Sequence, residues 1–283
     1  MAENGPKGVD VSKPSVARIY DYALGGKDNY AVDRMVSDRV EKSMPESSGV
    51  AVLNRAMLRR AVRYLAGEAG IRQFLDLGSG LPARDNTHQV AERSGGEPHV
   101  VYVDNDPIVL THGRALLAEN DRTAVVTADL RDVGGVLGHP EVNRLIDFGR
   151  PVAILMSGIL HHFSDQEDPA GIVKAYLDAV PPGSYLLVTH FHRGTPEAAE
   201  LERKFVEAIG SGWFRTAEQI LPFFCGLDLV APGLVPVTRW RPDPAFDREL
   251  FADLPTRISD AGQPEEALTP IERLISGGVA RKD

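Results

Sequence analysis

Phe74-Leu75-Asp76-Leu77-Gly78-Ser79-Gly80-Leu81-Pro82 is the stretch on which the fold turns. An apolar run ends in an acidic residue and enters a tight glycine turn. That order of residues predicts the C-terminal end of a buried strand in an open α/β sheet, where ligands of such sheets bind. Glycines there let a backbone approach a ligand where a Cβ would collide. Moving outward, similar apolar runs recur at 100–103, 124–127, 152–156 and 185–189. Helix-compatible stretches lie between them, near 87–94, 107–119, 133–146 and 168–180. Continuous apolar strands alternating with helices predict a doubly wound α/β fold, its parallel sheet covered on both faces.

The flanks follow other patterns. Residues 1–13 are polar and read as a flexible tail. The segment 14–44 reads as two short helices around Gly25-Gly26. Ser47-Ser48 offers a helix N-cap, followed by an apolar stripe of Val50, Leu53, Met57, Leu58, Val62 and Leu65. Together 14–70 is expected to form an N-terminal helical cap on a core of 71–283, the two making one structural domain. After 189, helical stretches at 196–210 and 216–224 precede apolar runs at 227–230 and 234–237. A final Gly-Gly-Val-Ala-Arg-Lys stretch lies at 277–282, and the expectation is a hairpin-like pair of strands closing one sheet edge, with 241–275 as an excursion between them. The paired glycines have no fixed period, so no repeat is present.

Composition removes several function classes. The chain has 283 residues, 43% hydrophobic and 25% charged, which is ordinary globular usage. With 40 acidic and 31 basic side chains the formal charge is −9, unfavourable for a polyanion unless the basic groups cluster. Arg55, Arg59 and Arg63 share a helical face, read here as a solvated face and not a nucleic-acid groove. Cys225 is the single cysteine, which excludes an intramolecular disulfide and a cysteine zinc cluster. The start has no apolar core of a signal peptide, and no apolar run reaches the roughly 20 residues of a membrane helix. A cytoplasmic protein without membrane or nucleic-acid partners is expected.

The chemistry sits at the strand ends. Val101-Tyr102-Val103-Asp104-Asn105-Asp106-Pro107 places Asp104 24 residues beyond Gly80, where a carboxylate can accept both hydroxyls of a ribose. Thr127-Ala128-Asp129-Leu130 ends the third run; Asp129 could accept from an adenine amino group while the Leu130 backbone reads the ring edge. Each acid alone could be a cap or loop residue. Three at successive strand ends describe an adenosine site. A dinucleotide fold wants a third glycine to admit pyrophosphate beside a helix N-terminus, but Ala83 stands there after Pro82. Asp76 would also meet the pyrophosphate with negative charge. A sulfonium and an α-amino group tolerate carboxylates better, which favours S-adenosylmethionine over NAD.

These residues, Asp76-Leu77-Gly78-Ser79-Gly80, Asp104 and Asp129, resemble the cofactor motifs of class I S-adenosylmethionine methyltransferases. The run Pro14-Ser15-Val16-Ala17-Arg18-Ile19-Tyr20-Asp21-Tyr22-Ala23-Leu24-Gly25-Gly26-Lys27-Asp28-Asn29-Tyr30 is similar to the N-terminal signature of one bacterial methyltransferase family, first catalogued as a domain of unknown function. Asn86-Thr87-His88, Pro232-Gly233 and Gly277-Gly278-Val279 fit it too, so the resemblance runs from about residue 14 to 282. Ala83 departs from it, since threonine is expected there. The resemblance implies a mostly parallel, seven-stranded Rossmann-like sheet and the cofactor S-adenosyl-L-methionine, but no established acceptor. Asp76, Gly78, Ser79, Gly80, Asp104, Asn105, Asp129, Leu130, Ser157, Tyr20 and Asn29 are the candidate cofactor residues, the last two from the cap.

After the fourth run comes Ser157-Gly158-Ile159-Leu160-His161-His162-Phe163-Ser164-Asp165. It is similar to the Leu-His-Asp-Trp-Ser-Asp stretch of plant O-methyltransferases, and matching by position makes His161 a general base toward an acceptor hydroxyl. The plainer reading is that His161 packs against cofactor. His190 and His192 alternate on one face but lack a nearby third ligand in sequence, so no metal site is expected. The chain also lacks the Asn/Asp-Pro-Pro-Tyr/Phe stretch of amide and nucleobase methylation. The function expected is methyl transfer to oxygen or nitrogen of a small molecule. A non-catalytic cofactor-binding protein and a nicotinamide oxidoreductase are the alternatives.

Overall fold

The five apolar runs become parallel strands because both faces of the sheet are covered and each strand buries its side chains on either side. In the computed structural model, which describes residues 9–83, 85–117, 121–252, 258–259 and 263–283, they are β1 (Gln73–Leu77), β2 (His99–Asp104), β3 (Thr123–Thr127), β4 (Ala153–Ser157) and β5 (Tyr185–Phe191). Residues 1–8 of the expected tail, 118–119 of the helix-compatible stretch 107–119, and 253–257 and 260–262 of the excursion lie outside the described residues. Three more strands complete the sheet: β6 (Asp228–Leu229), β7 (Val235–Pro236) and β8 (Ile275–Arg281). The order is β3-β2-β1-β4-β5-β8-β6, with β7 also pairing β8. Chain order reverses between β1 and β4, the switch point at which open α/β sheets bind ligands.

The closing edge differs from the expectation of seven strands. β8 runs antiparallel between β5 and the two-residue strands β6 and β7, giving eight. The apolar runs at 227–230 and 234–237 are shortened because Ala231-Pro232-Gly233 turns the chain between them; Pro232 has no N–H to donate, and Gly233 N–H returns to the Val230 carbonyl. The excursion then folds back as α11 below and rejoins the sheet at Ile275.

Helices take their places from the same periodicities. The N-terminal segment forms α1 (Val16–Ala23) and α2 (Ala31–Ser43) around the glycine turn, followed by α3 (Gly49–Gly67). α3 is buried along most of its length, with Leu53, Met57, Ala61 and Leu65 in one core cluster with Phe74, Leu155, Leu187 and Val279 of the sheet. The other face is covered by α8 (Pro169–Asp178), whose Val173, Tyr176 and Leu177 join Leu75, Val101, Ile154 and Val188. α4 (Thr87–Arg93), α5 (Pro107–Leu117), α6 (Val133–Leu137) and α7 (Pro140–Leu145) fill the crossovers. The 133–146 stretch, expected as one helix, is two. His139 before Pro140 is extended (ψ 134) as a pre-proline residue prefers, and Pro140 starts the second helix. α9 (Pro196–Ile209) and α10 (Ala217–Ile220) follow β5, then α11 (Pro244–Phe251) and α12 (Pro270–Arg273).

Two local expectations need correction. Ser48 is the N-cap of α3, but its hydroxyl makes no capping bond; the Glu41 carboxylate from α2 instead accepts from the Glu46 and Ser48 N–H groups and the Ser47 hydroxyl. Two thirds of the arginine face of α3 is buried, Arg55 and Arg59, while Arg63 keeps part of its side chain in solvent. Arg55 donates to the Asp85 carbonyl and Asn86 side chain, and Arg59 pairs with Asp85 at 2.7 Å with its guanidinium over the Phe246 ring. Arg63 pairs with Asp243 at 2.9 Å. The periodicity identified the face correctly, but neutralising acids far along the chain allow it to be buried. Arg60, 2% exposed, likewise pairs with Asp247 and donates to the Trp240 and Val237 carbonyls.

Candidate active site

The loops after β1 to β5 open into one cavity of about 640 Å³ at the C-terminal edge of the sheet. Neighbouring strands are about 4.8 Å apart, so from β3 to β8 the edge spans roughly 24 Å. Sequence order therefore becomes position along a groove: acids at one end, aromatics at the other.

At the β1 turn, Gly78 and Gly80 have φ of +73° and +67°, which glycine adopts without strain. A Cβ on Gly78 would come within 2.5 Å of Ile159, so this glycine is required by the neighbouring loop as well as by space for a ligand. Asp104 follows directly from β2. Its carboxylate accepts from the Gly80 N–H (2.9 Å) and the Asp106 N–H (2.9 Å), which locks the two loops together. Burial raises its pKa against the pull of those N–H groups. Asp76 is 4% exposed and accepts from the Thr87 hydroxyl at 2.7 Å; burial pushes it up to about 6.

Asp129 and Leu130 line the cavity past β3, with Arg131. Asp129 is engaged by the Arg131 guanidinium, which holds its carboxyl below the ordinary value. Ser157 at the end of β4 belongs to a hydrogen-bonded cluster that crosses from sheet to helix. Asn54 Oδ1 accepts from the Thr189 hydroxyl (2.6 Å) and the Ser157 hydroxyl (3.2 Å), while its Nδ2 donates to the Tyr20 phenol (3.0 Å). Tyr20 donates onward to the Ala51 carbonyl.

His161 is 3% exposed on the cavity wall, its ring 4.4 Å from Phe191, 4.3 Å from His162 and 5.6 Å from His190, measured between centroids. Burial foremost, then the neighbouring histidines and Arg215, hold it well below the ordinary imidazole pKa. His162 is depressed to about 4 by burial. His190 is depressed to about 3, again chiefly by burial. Arg215 can only donate, so its contact with His190 Nε2 at 3.0 Å makes that nitrogen the acceptor and leaves the proton on Nδ1, toward the Phe191 carbonyl at 2.7 Å. Both His190 nitrogens are thus occupied and offer no lone pair to a metal.

The cavity gathers Asp76, Gly78, Ser79, Gly80, Asp104, Asn105, Asp129, Leu130, Ser157, Tyr20 and His161. Asn29 is not brought there. Its amide donates to Asp21 (2.8 Å) and the Gly26 carbonyl, holding the glycine turn closed. The density of polar residues in 20–30 was read as contact with a ligand, yet much of it is spent inside the α1–α2 turn. Sequence reasoning missed Asn54, whose only signal was an amide on an otherwise apolar helical stripe. It also missed the latch from the N-terminal segment to the β2 loop, where the Ser15 hydroxyl donates to Asp106 and Arg18 lies 4.0 Å from the same carboxylate while pairing with Asp33 at 3.3 Å within the segment.

Outside the guanidinium groups, two buried polar atoms of cavity-lining residues have no hydrogen-bond partner among the described residues, Ser79 Oγ and His161 Nδ1. Buried polar groups are ordinarily satisfied, so both are departures from the usual pattern at the edge of the cavity. Carboxylates at the ends of β1, β2 and β3, beside a glycine turn, fit an adenosine carrying a cationic tail. They oppose a pyrophosphate. No helix among the described residues is long and apolar enough to cross a membrane.

A family model for S-adenosyl methyltransferases matches residues 2–283. The fold is similar to that of a candidate methyltransferase from Thermobifida fusca YX, at 47% identity and TM-score 0.89 over 98% of each chain. It is also similar to a DUF574 family protein from Streptomyces avermitilis MA-4680, at 38% identity and TM-score 0.86, covering 97% of this chain and 99% of that one. No curated protein matches the chain.

Proposed function

The chain belongs to the S-adenosyl methyltransferase family and is an enzyme whose cofactor is S-adenosylmethionine; from that premise we propose that it methylates oxygen or nitrogen of a small molecule beside His161. The observation that carries this reading is the place of His161, a neutral histidine lining the cavity just past β4 with its ring against Phe191. When bound, S-adenosylmethionine supplies an electrophilic methyl group on a sulfonium.

The residues divide the work. Asp104 accepts from the ribose hydroxyls, with its orientation held by the Gly80 and Asp106 N–H groups. Asp129 and the Leu130 backbone receive the adenine, and Asp76 faces the positive end of the cofactor. Gly78, Ser79 and Gly80 allow close approach. Asn105, Ser157 and Tyr20 complete the wall, and residues 14–44 cover it. His161 accepts a hydrogen bond from the acceptor and takes its proton as the new bond forms. A depressed pKa does not prevent this. A hydroxyl oxygen becomes strongly acidic as it is alkylated, so even a weak base can accept its proton. Positioning supplies much of the rate, about 7–11 kcal/mol in favourable cases.

The test begins with a metabolite screen for S-adenosylhomocysteine release. With an acceptor in hand, His161→Ala should leave S-adenosylhomocysteine affinity unchanged and reduce the single-turnover rate by about 10²–10⁴-fold. Equal rates would remove His161 from the mechanism. Weakened cofactor binding with unchanged chemistry would make it a packing residue.

A further inference from the structure

Charge is distributed unevenly around the cavity. Among the described lining residues, every Asp, Glu, Lys and Arg comes from the N-terminal segment and α1, from Arg55 of α3, or from β1 and the loops after β2 and β3. None comes from the end where β4, β5 and β8 meet α2 and α9. That end is walled by Val40, Leu58, Phe191, Leu201, Phe205 and Ile275, which form one continuous apolar cluster. Phe191 stacks on Phe214 at 4.5 Å with planes 12° apart, and Phe205 closes the group at 5.6 Å from Phe191.

The charges nearest this end point elsewhere. Arg215 is committed to Asp165, the Phe163 carbonyl and His190. Lys204 donates to Ser43 and pairs with Glu200, and Glu202 pairs with Arg193. The histidines on this wall, His161 and His162, are both uncharged at neutral pH. An ion placed here would lose its hydration and find no counter-charge, which is costly. An apolar molecule would gain contact with the aromatic wall and lose little.

Resting on the methyltransferase reading above, we propose that the methyl acceptor is an uncharged, predominantly apolar molecule with an aromatic or similarly flat body, presenting one hydrogen-bond donor to His161. Acids, phosphorylated metabolites and protonated amines are excluded by the same wall that accepts it. Selection is by desolvation: the acceptor end is dry and neutral, and the acidic end belongs to the cofactor.

Calorimetry on protein saturated with S-adenosylhomocysteine tests this with three probes of one ring system: 2-naphthol, 2-naphthoate and 2-naphthylmethylammonium. The expected result is that 2-naphthol binds at least about tenfold more tightly than either ion, a difference of about 1.4 kcal/mol. Phe205→Asp puts a carboxylate on the wall; it should weaken 2-naphthol and strengthen the ammonium probe. Ile209→Asp, at a half-buried position on the same helix, repeats the test should the first variant fold poorly. Ions binding as well as 2-naphthol, no detectable 2-naphthol binding, or indifference of the probes to the new carboxylate in a folded variant each overturn the proposal. The premise fails separately, through absence of S-adenosylhomocysteine binding in the first titration.

Discussion

Asp76 shows how one residue can carry opposing demands. Burial raises its pKa to about 6, above the ordinary 3.8. The sign follows from linkage. With the folded value raised, the neutral acid stabilises the free protein fully below the unfolded value, and that contribution is lost as pH rises through about 6. An α-ammonium group facing Asp76 prefers the ionised form, so S-adenosylhomocysteine affinity should rise across the same range, with proton release on binding. Calorimetry near pH 6 in two buffers of different ionisation enthalpy measures that release directly. Asp76→Asn keeps an acceptor for Thr87 while removing the buried charge. At pH 7 it should raise the melting temperature of the free protein, by up to about 3 kcal/mol of stability at about 1.4 kcal/mol per pKa unit, and weaken the ligand. A variant neither more stable nor weaker in binding would detach Asp76 from the cofactor.

At the scale of elements, α1 and α2 are held to the cofactor loop by a few buried polar contacts. Asp33, fully buried, accepts from the Ser15 and Tyr30 N–H groups at 2.9 Å each and pairs with Arg18. Ser15 in turn contacts Asp106, whose N–H is held by Asp104. A ligand on Asp104 therefore stabilises the loop to which the cap is latched. Amide hydrogen exchange across 16–43 should slow when S-adenosylhomocysteine is added, and unchanged protection would reduce the segment to ordinary packing. Asp33→Ala leaves Arg18 buried without its carboxylate, a loss of about 3–5 kcal/mol for such pairs. Its effect should be faster exchange in α1 and α2 while β1 and β4 stay protected. Uniform loss of protection would mean that the cap is not a separable unit of stability.

For the whole molecule, a tight fit between distant elements lies where α3 crosses the antiparallel strand. A Cβ on Gly277 would come within 2.7 Å of both Met57 Sδ on α3 and Thr189 Cγ2 on β5. On the neighbouring residue, Gly278, it would come within 3.2 Å of the Gly233 carbonyl and the Phe224 ring. The glycine pair thus lets one helix and three strands converge. Gly277→Ala should cost about 1–3 kcal/mol through overpacking, lowering the melting temperature by several degrees at about 2–4 °C per kcal/mol. Unchanged thermal unfolding would show that Met57 yields without cost. Met57→Ala in the same background should recover part of the loss if the clash is the cause.

Sequence alone determined the parts that depend on local periodicity. Apolar runs of four or five residues between helical stretches can bury both faces only in a covered parallel sheet, and so β1 to β5 and their crossover helices were legible. The acids of the cofactor end were legible for the same reason: in such a sheet the residue after each strand lies on one edge, so Asp76, Asp104 and Asp129 had to approach one another. Tertiary structure alone decided what depends on partners distant in the chain. The arginine face of α3 looked solvated until Asp85 and Asp243 were brought to it, and Asn29 looked like a ligand contact until its amide met Asp21. The apolar end of the cavity joins Val40, Phe205 and Ile275 from three separate regions of the sequence. A side chain's charge is written in the sequence, but its free energy is set by the groups that surround it, and those are chosen by the fold.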